Sequence, residues 1–171
     1  MRKQIQTVLT IFALFVGYSS GQQPLRTPVL KYMSPDEAVV AIVASAKIPE
    51  ATAESRVELR AKSARLLARR NYRSGDGEHG FGVTKACWTP DSQFFVYSLE
   101  SSGGHQAWHS PIQFYSRRDN KIFSLDDALN DAVINPQFSV TAPNRVTVDL
   151  QSGGKTKTVS LASLRHRKRT R

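Results

Sequence analysis

One cysteine, Cys87, stands in 171 residues. A lone thiol excludes a disulfide framework within the chain and a zinc site built on paired cysteines. Glycine and proline are sparse, at 10 and 8 residues, and 40% of the chain is hydrophobic, which excludes collagen-like and disordered classes. No G-x-S-x-G nucleophile elbow occurs, and the glycines of GDGEHGFG at 75–82 are followed by no Lys-Ser/Thr of a phosphate-binding loop. Acidic residues are the minority: 14 Asp and Glu stand against 24 Lys and Arg, a net charge of +10. A chain of this length suits one domain.

What is present begins with an export signature. Arg2 and Lys3 precede an apolar stretch at 8–16, and Gly17, Ser19, Ser20 and Gly21 follow. Positive charge, short apolar core and small residues in that order predict a secretory signal peptide over 1–21, cut before Gln22. The apolar core has about half of the ~20 residues a spanning helix needs, so the cleaved protein is expected to be periplasmic or secreted and not transmembrane. An exported protein must hide an unpaired thiol, and Cys87, between Ala86 and Trp88, is expected to be buried and inert.

The basicity is local. Residues 165–171 (RHRKRTR) carry +5 with histidine neutral, and residues 54–73 carry another +5 from seven Lys and Arg less Glu54 and Glu58. In an exported chain such a tail suits an anionic surface, an envelope protein or a glycan rather than nucleic acid.

Four segments follow: the signal peptide at 1–21, an extended lead-in at 22–33 with Pro24 and Pro28, a β-rich domain at 34–164, and the basic tail at 165–171. Ser34-Pro35-Asp36-Glu37 reads as a capped helix start, and the apolar AVVAIVASA after it predicts an N-terminal helix ending near Lys47. Residues 54–73 fit either a basic helix or two strands, 56–60 and 65–72, turning at Lys62-Ser63-Ala64. Strands are predicted at 83–88, 93–100, 112–117, 121–123, 138–141, 145–150 and 155–161, with a short helix from Ser124 and a hairpin over 152–154. QFFVYSLE at 93–100 has apolar residues on both alternating faces, which marks a central strand buried on both sides. The fold class is mainly β with some α: an antiparallel, blade-like or sandwich sheet partly covered by the first helix.

WTPDSQFFVYS at 88–98 resembles one Pro-Asp repeat of a β-propeller, in which Ser/Thr-Pro-Asp makes a tight turn before an apolar strand. About 15 residues carry that likeness. The longer pattern GEHG…WTPDSQFFVYSLESSGGHQAWH…FYSRRDNKI…LDDAL is similar to small exported bacterial proteins of uncharacterised function. The resemblance implies export and a blade-like sheet, favours strands over a helix at 54–73, and implies no activity.

Candidate chemistry gathers in two loops. His79 lies in the glycine-rich 74–80 segment, and Gly103, Gly104, His105, Trp108 and His109 lie between two predicted strands. Paired glycines let a ligand approach the backbone, and a flat aromatic between histidines suits a sugar ring or a peptide. Trp108 could instead fold back over the sheet edge. If the loops meet, His79, His105 and His109 could bind a divalent transition metal such as zinc. No cofactor is otherwise implied, and Asp126-Asp127 is explained by its place at a helix start. The expected function is non-enzymatic binding at the cell envelope, with a metal-binding protein or metal-dependent enzyme as the alternative.

Overall fold

The structure, a computed structural model, describes residues 29–45, 54–104 and 106–164. The predicted signal peptide, most of the lead-in, His105 and the basic tail lie outside the described residues. Three antiparallel meanders follow one another along the chain. The first is β1 (Val29–Met33), β2 (Val39–Ser45), β3 (Ser55–Ala61) and β4 (Leu66–Asn71). The second is β5 (Phe81–Trp88), β6 (Phe94–Ser101), β7 (Ile112–Ser116) and β8 (Lys121–Ser124). The third is β9 (Ser139–Thr141), β10 (Arg145–Asp149) and β11 (Thr156–Ser160). Two short helices, α1 (Leu125–Leu129) and α2 (Leu161–Leu164), complete the described elements. Among the described residues no helix is long and apolar enough to cross a membrane.

The mainly β, antiparallel class holds, but three sheets replace the single sheet, and the N-terminal helix is a strand. Ser34–Glu37 is a turn into β2. The Ser34 hydroxyl bonds Asp36 Oδ1 at 2.7 Å, Asp36 Oδ1 accepts from Ala38 N–H at 3.2 Å, and Ser34 Oγ accepts from Val39 N–H at 3.1 Å. Glu37 sits at φ 57°, a left-handed conformation that no helix start tolerates. The residues after it are rich in β-branched side chains, which favour a pleated surface. Val39, Ala41 and Val43 are buried while Val40 and Ile42 are half-exposed, so the period is two and not 3.6.

The same turn recurs before β6. The Thr89 hydroxyl bonds Asp91 Oδ1 at 2.6 Å, Gln93 N–H donates to Asp91 Oδ1 at 3.0 Å, Phe94 N–H donates to Thr89 Oγ1 at 3.0 Å, and Ser92 lies at φ 59°. Asp36 N–H donates across to Ser92 Oγ at 3.1 Å, and the Asp36 carboxylate pairs with Arg117. Asn144, in the turn between β9 and β10, donates to Asp91 Oδ2 at 2.7 Å. One turn from each sheet therefore meets at Asp91 and Ser92.

Residues 54–73 form strands, as the resemblance implied. Val57 and Leu59 point into a core, and the turn at 62–64 holds Ala64 at φ 65°. The middle sheet separates two cores. Phe95, Tyr97 and Leu99 of β6 pack with Trp88 and Tyr115 against Val39, Ala41, Val43, Val57 and Leu59 of the first sheet. Phe94 and Val96, on the opposite face of β6, pack with Ile112 and Phe114 against Val146, Val148 and the two short helices. Aromatics on both faces of one strand need cover on both sides, and that requirement explains three layers where one sheet was expected. Cys87, expected to be buried, is only half-buried, although the burial it has raises its thiol pKa above the ordinary value and so lowers its thiolate fraction.

Phe95 is fully buried and its ring lies 5.4–5.7 Å from those of Tyr32, Trp88 and Tyr97. Phe95→Ala is expected to cost about 3–5 kcal/mol, read as a lower urea midpoint with an unchanged slope. A loss below about 1 kcal/mol would contradict this packing role.

Candidate functional site

The two loops that carry the predicted site residues do meet, at a buried carboxylate. Glu54, just before β3, is 2% exposed. Ser74 donates to it through its N–H at 2.7 Å and its hydroxyl at 2.5 Å, Gly80 N–H donates at 2.7 Å and the Ser102 hydroxyl at 2.9 Å. Burial alone would raise the Glu54 pKa, but these four donors together outweigh it and hold the carboxyl below its ordinary value. Ser102 N–H also donates to Gly80 C=O at 3.0 Å, which fastens the 101–111 loop to the 74–80 loop. A side chain at position 80 would place its Cβ 2.4 Å from both the Glu54 carboxylate and the Tyr72 carbonyl, so only glycine fits.

Within the first loop Ser74 Oγ accepts from Gly77 N–H at 3.0 Å, and Asp76 Oδ1 accepts from Glu78 N–H at 3.0 Å. Asp76 also holds His79: its Oδ2 lies 2.5 Å from Nδ1 of that exposed imidazole. The Glu78 N–H, the largest contributor, together with the Ser74 and His79 side chains holds Asp76 below the usual carboxylate range.

The second loop is organised by Asp126. Ser124 caps α1 by accepting from Asp127 N–H, which leaves Asp126 to reach outward. Its Oδ1 accepts from Ile112 N–H at 3.2 Å, and its Oδ2 accepts from Val133 N–H at 3.1 Å and lies 2.8 Å from His109 Nε2. The other ring nitrogen of His109 lies 3.4 Å from Gln106 Oε1. Trp108 stacks on the fixed imidazole, with centroids 5.2 Å apart and planes 22° from parallel. The indole is 54% exposed, so it does not fold back over the sheet edge. Gly104 takes φ 68°, which lets the chain turn away from β6.

His79 and His109 are thus engaged by different carboxylates, Asp76 and Asp126. Among the described residues no group of three His, Cys, Asp or Glu is arranged to hold a metal ion. Gly103 and Gly104 are exposed beside the stacked pair in sequence, and His105 lies outside the described residues. Glu54, Ser74, Ser102 and Asp126 were not readable as site residues, because each acts through a partner 14 to 48 positions away.

The fold and the loops together define an antiparallel β domain of three packed meanders that presents an exposed, braced tryptophan. No protein-family model and no curated protein matches this chain.

Gly80→Ala should destabilise the fold by about 1–3 kcal/mol, since the Tyr72 carbonyl cannot move aside. Glu54→Gln supplies a pH test. A carboxyl held below its unfolded value stabilises the fold above that value, and the contribution fades as pH falls below 4.5, the ordinary glutamate pKa. The stability gap between parent and Glu54→Gln should therefore be largest near neutrality and narrow under acid. A gap independent of pH in urea titrations would contradict it.

Proposed function

We propose that this protein is an exported, non-enzymatic binding domain of the cell envelope, and that it recognises a glycan through Trp108 and His109. The observation that carries this reading is an indole more than half exposed yet fixed on one face by His109, itself tied to Asp126. Exposure of so large an aromatic leaves apolar area in water, and fixing it beforehand removes most of the ordering cost of binding. A flat aromatic surface beside polar groups suits the apolar face of a sugar ring, with Gln106 and the loop backbone near enough to engage hydroxyls. Asp126 spends its oxygens on two backbone N–H groups and one imidazole, which suits a brace better than a proton-transfer group.

Export rests on the order of charge, apolar core and small residues at 1–21, and the likeness of WTPDSQFFVYS to a propeller repeat fits a blade-like interaction domain. The basic 165–171 segment would add a salt-dependent attraction to acidic envelope components.

Trp108→Ala should leave stability within about 0.5 kcal/mol of the parent, since the ring is exposed. It should weaken binding to an isolated envelope glycan fraction at least about tenfold, because a central aromatic commonly contributes more than that. Equal binding by parent and variant in a pull-down and in fluorescence titration would refute the assignment.

A further inference from the structure

We infer that the outer face of the β1–β4 sheet is a docking surface for an anionic lipid bilayer. The two outermost sheets each turn one face to solvent, and the two faces differ in kind. In an antiparallel pair, residues directly opposite share a face. On the third sheet the outward set is Arg145, Thr147 and Asp149 on β10, opposite Ser160, Thr158 and Thr156 on β11. That face is polar and nearly neutral, as a solvated sheet face should be.

The outward set of the first sheet is different. Val29 and Met33 of β1 lie opposite Ala44 and Val40, and Lys31 lies opposite Ile42. On the other side of β2, Arg60 faces Val40, Glu58 faces Ile42 and Arg56 faces Ala44. Among the described residues six large hydrophobic side chains are exposed, and three of these, Val29, Met33 and Leu66, lie on this face, Leu66 opposite Arg60. A concavity of about 300 Å³ opens on the face between Met33, Val40, Ile42, Arg60 and Lys62. An aliphatic patch of this kind on a soluble domain marks a contact surface.

Charge identifies the occupant. Arg56, Arg60 and Arg69 surround the single carboxylate of Glu58, so that cluster is left with two uncompensated positive charges. Over residues 29–45 and 54–73 there are eight Lys and Arg against four Asp and Glu, whereas the other described residues have seven against nine. The positive charge of the folded domain is thus concentrated on the sheet that also exposes its aliphatic groups. A second copy fits poorly: two such faces would repel each other, and the polar outer face of the third sheet offers no aliphatic complement. Aliphatic side chains interspersed with cations match a lipid surface, where acyl chains receive the former and anionic headgroups the latter.

The test is vesicle co-sedimentation of the full chain, using phosphatidylcholine with about a quarter phosphatidylglycerol against phosphatidylcholine alone. Parent and variants share both termini, so differences between them report on the face. Lys31→Glu with Lys62→Glu should lower partitioning onto the anionic vesicles at least about tenfold. Lys155→Glu with Lys157→Glu, an equal charge change beside and on the third sheet, should leave it within about twofold. Val29→Ser with Met33→Ser, which alters no charge and only exposed positions of this face, should lower it several-fold; circular dichroism checks that all variants fold. Equal losses from both charge reversals, equal binding to neutral vesicles, or no binding at all would overturn the inference. An unaltered partition for Val29→Ser with Met33→Ser would overturn it too, and would indicate a polyanion in place of lipid. Because Trp108 belongs to a different sheet's loop, this result stands apart from the glycan reading.

Discussion

The fold depends on burying both faces of β6. Phe95, Tyr97 and Leu99 enter one core and Phe94 and Val96 the other, and each core is closed by a different sheet. A strand with this alternation cannot lie on a two-layer sandwich, since one row of aromatics would then face water. The same strand pairs in register with β5 and β7, so its backbone is also satisfied on both edges. Packing and hydrogen bonding thus fix β6 in three dimensions, and the outer sheets take their positions from it.

Both loops of interest leave this braced strand and its neighbours. Ser102 follows β6 directly and is tied to Gly80 and Glu54, which joins the start of β3 to the entrance of β5. Ile112, the first residue of β7, gives its N–H to Asp126, and that carboxylate orients His109 beneath Trp108. The exposed indole is consequently referenced to the core through a short chain of fixed groups, the arrangement expected of a preorganised recognition element. At the other end of the meanders the turns at 34–38, 89–93 and 142–145 are joined through Asp36, Asp91, Ser92 and Asn144, which sets the three sheets against one another.

Strand positions in the middle and third sheets were legible because alternation and turn residues acted locally. The two-sided apolar pattern of QFFVYSLE announced a central strand, and Thr89-Pro90-Asp91 announced its turn. Ser34-Pro35-Asp36-Glu37 misled because Ser34 and Glu37 satisfy the capping-box spacing with Pro35 at the first helical position, and the positive φ of Glu37, which makes the segment a turn, is not written in its side chain. The β-branched run after it was the better guide. The number of layers was hidden, since it depends on what covers each face of β6, a long-range matter. The site was half legible. Gly104, Trp108 and His109 stood out by type and neighbourhood, whereas Glu54 and Asp126 acquire their roles only when distant backbone N–H groups converge on them.

Native-state hydrogen exchange tests the dependence on β6 most directly. The backbone amides of residues 95–99 should be the slowest in the domain, exchanging only through global unfolding, with a free energy equal to that from urea denaturation. The amide of Ser110, bonded to the Val133 carbonyl below the tryptophan loop, should be protected well above the exposed loop residues. If residues 95–99 exchanged by local opening while an outer sheet stayed protected, the central strand would not be what organises this protein.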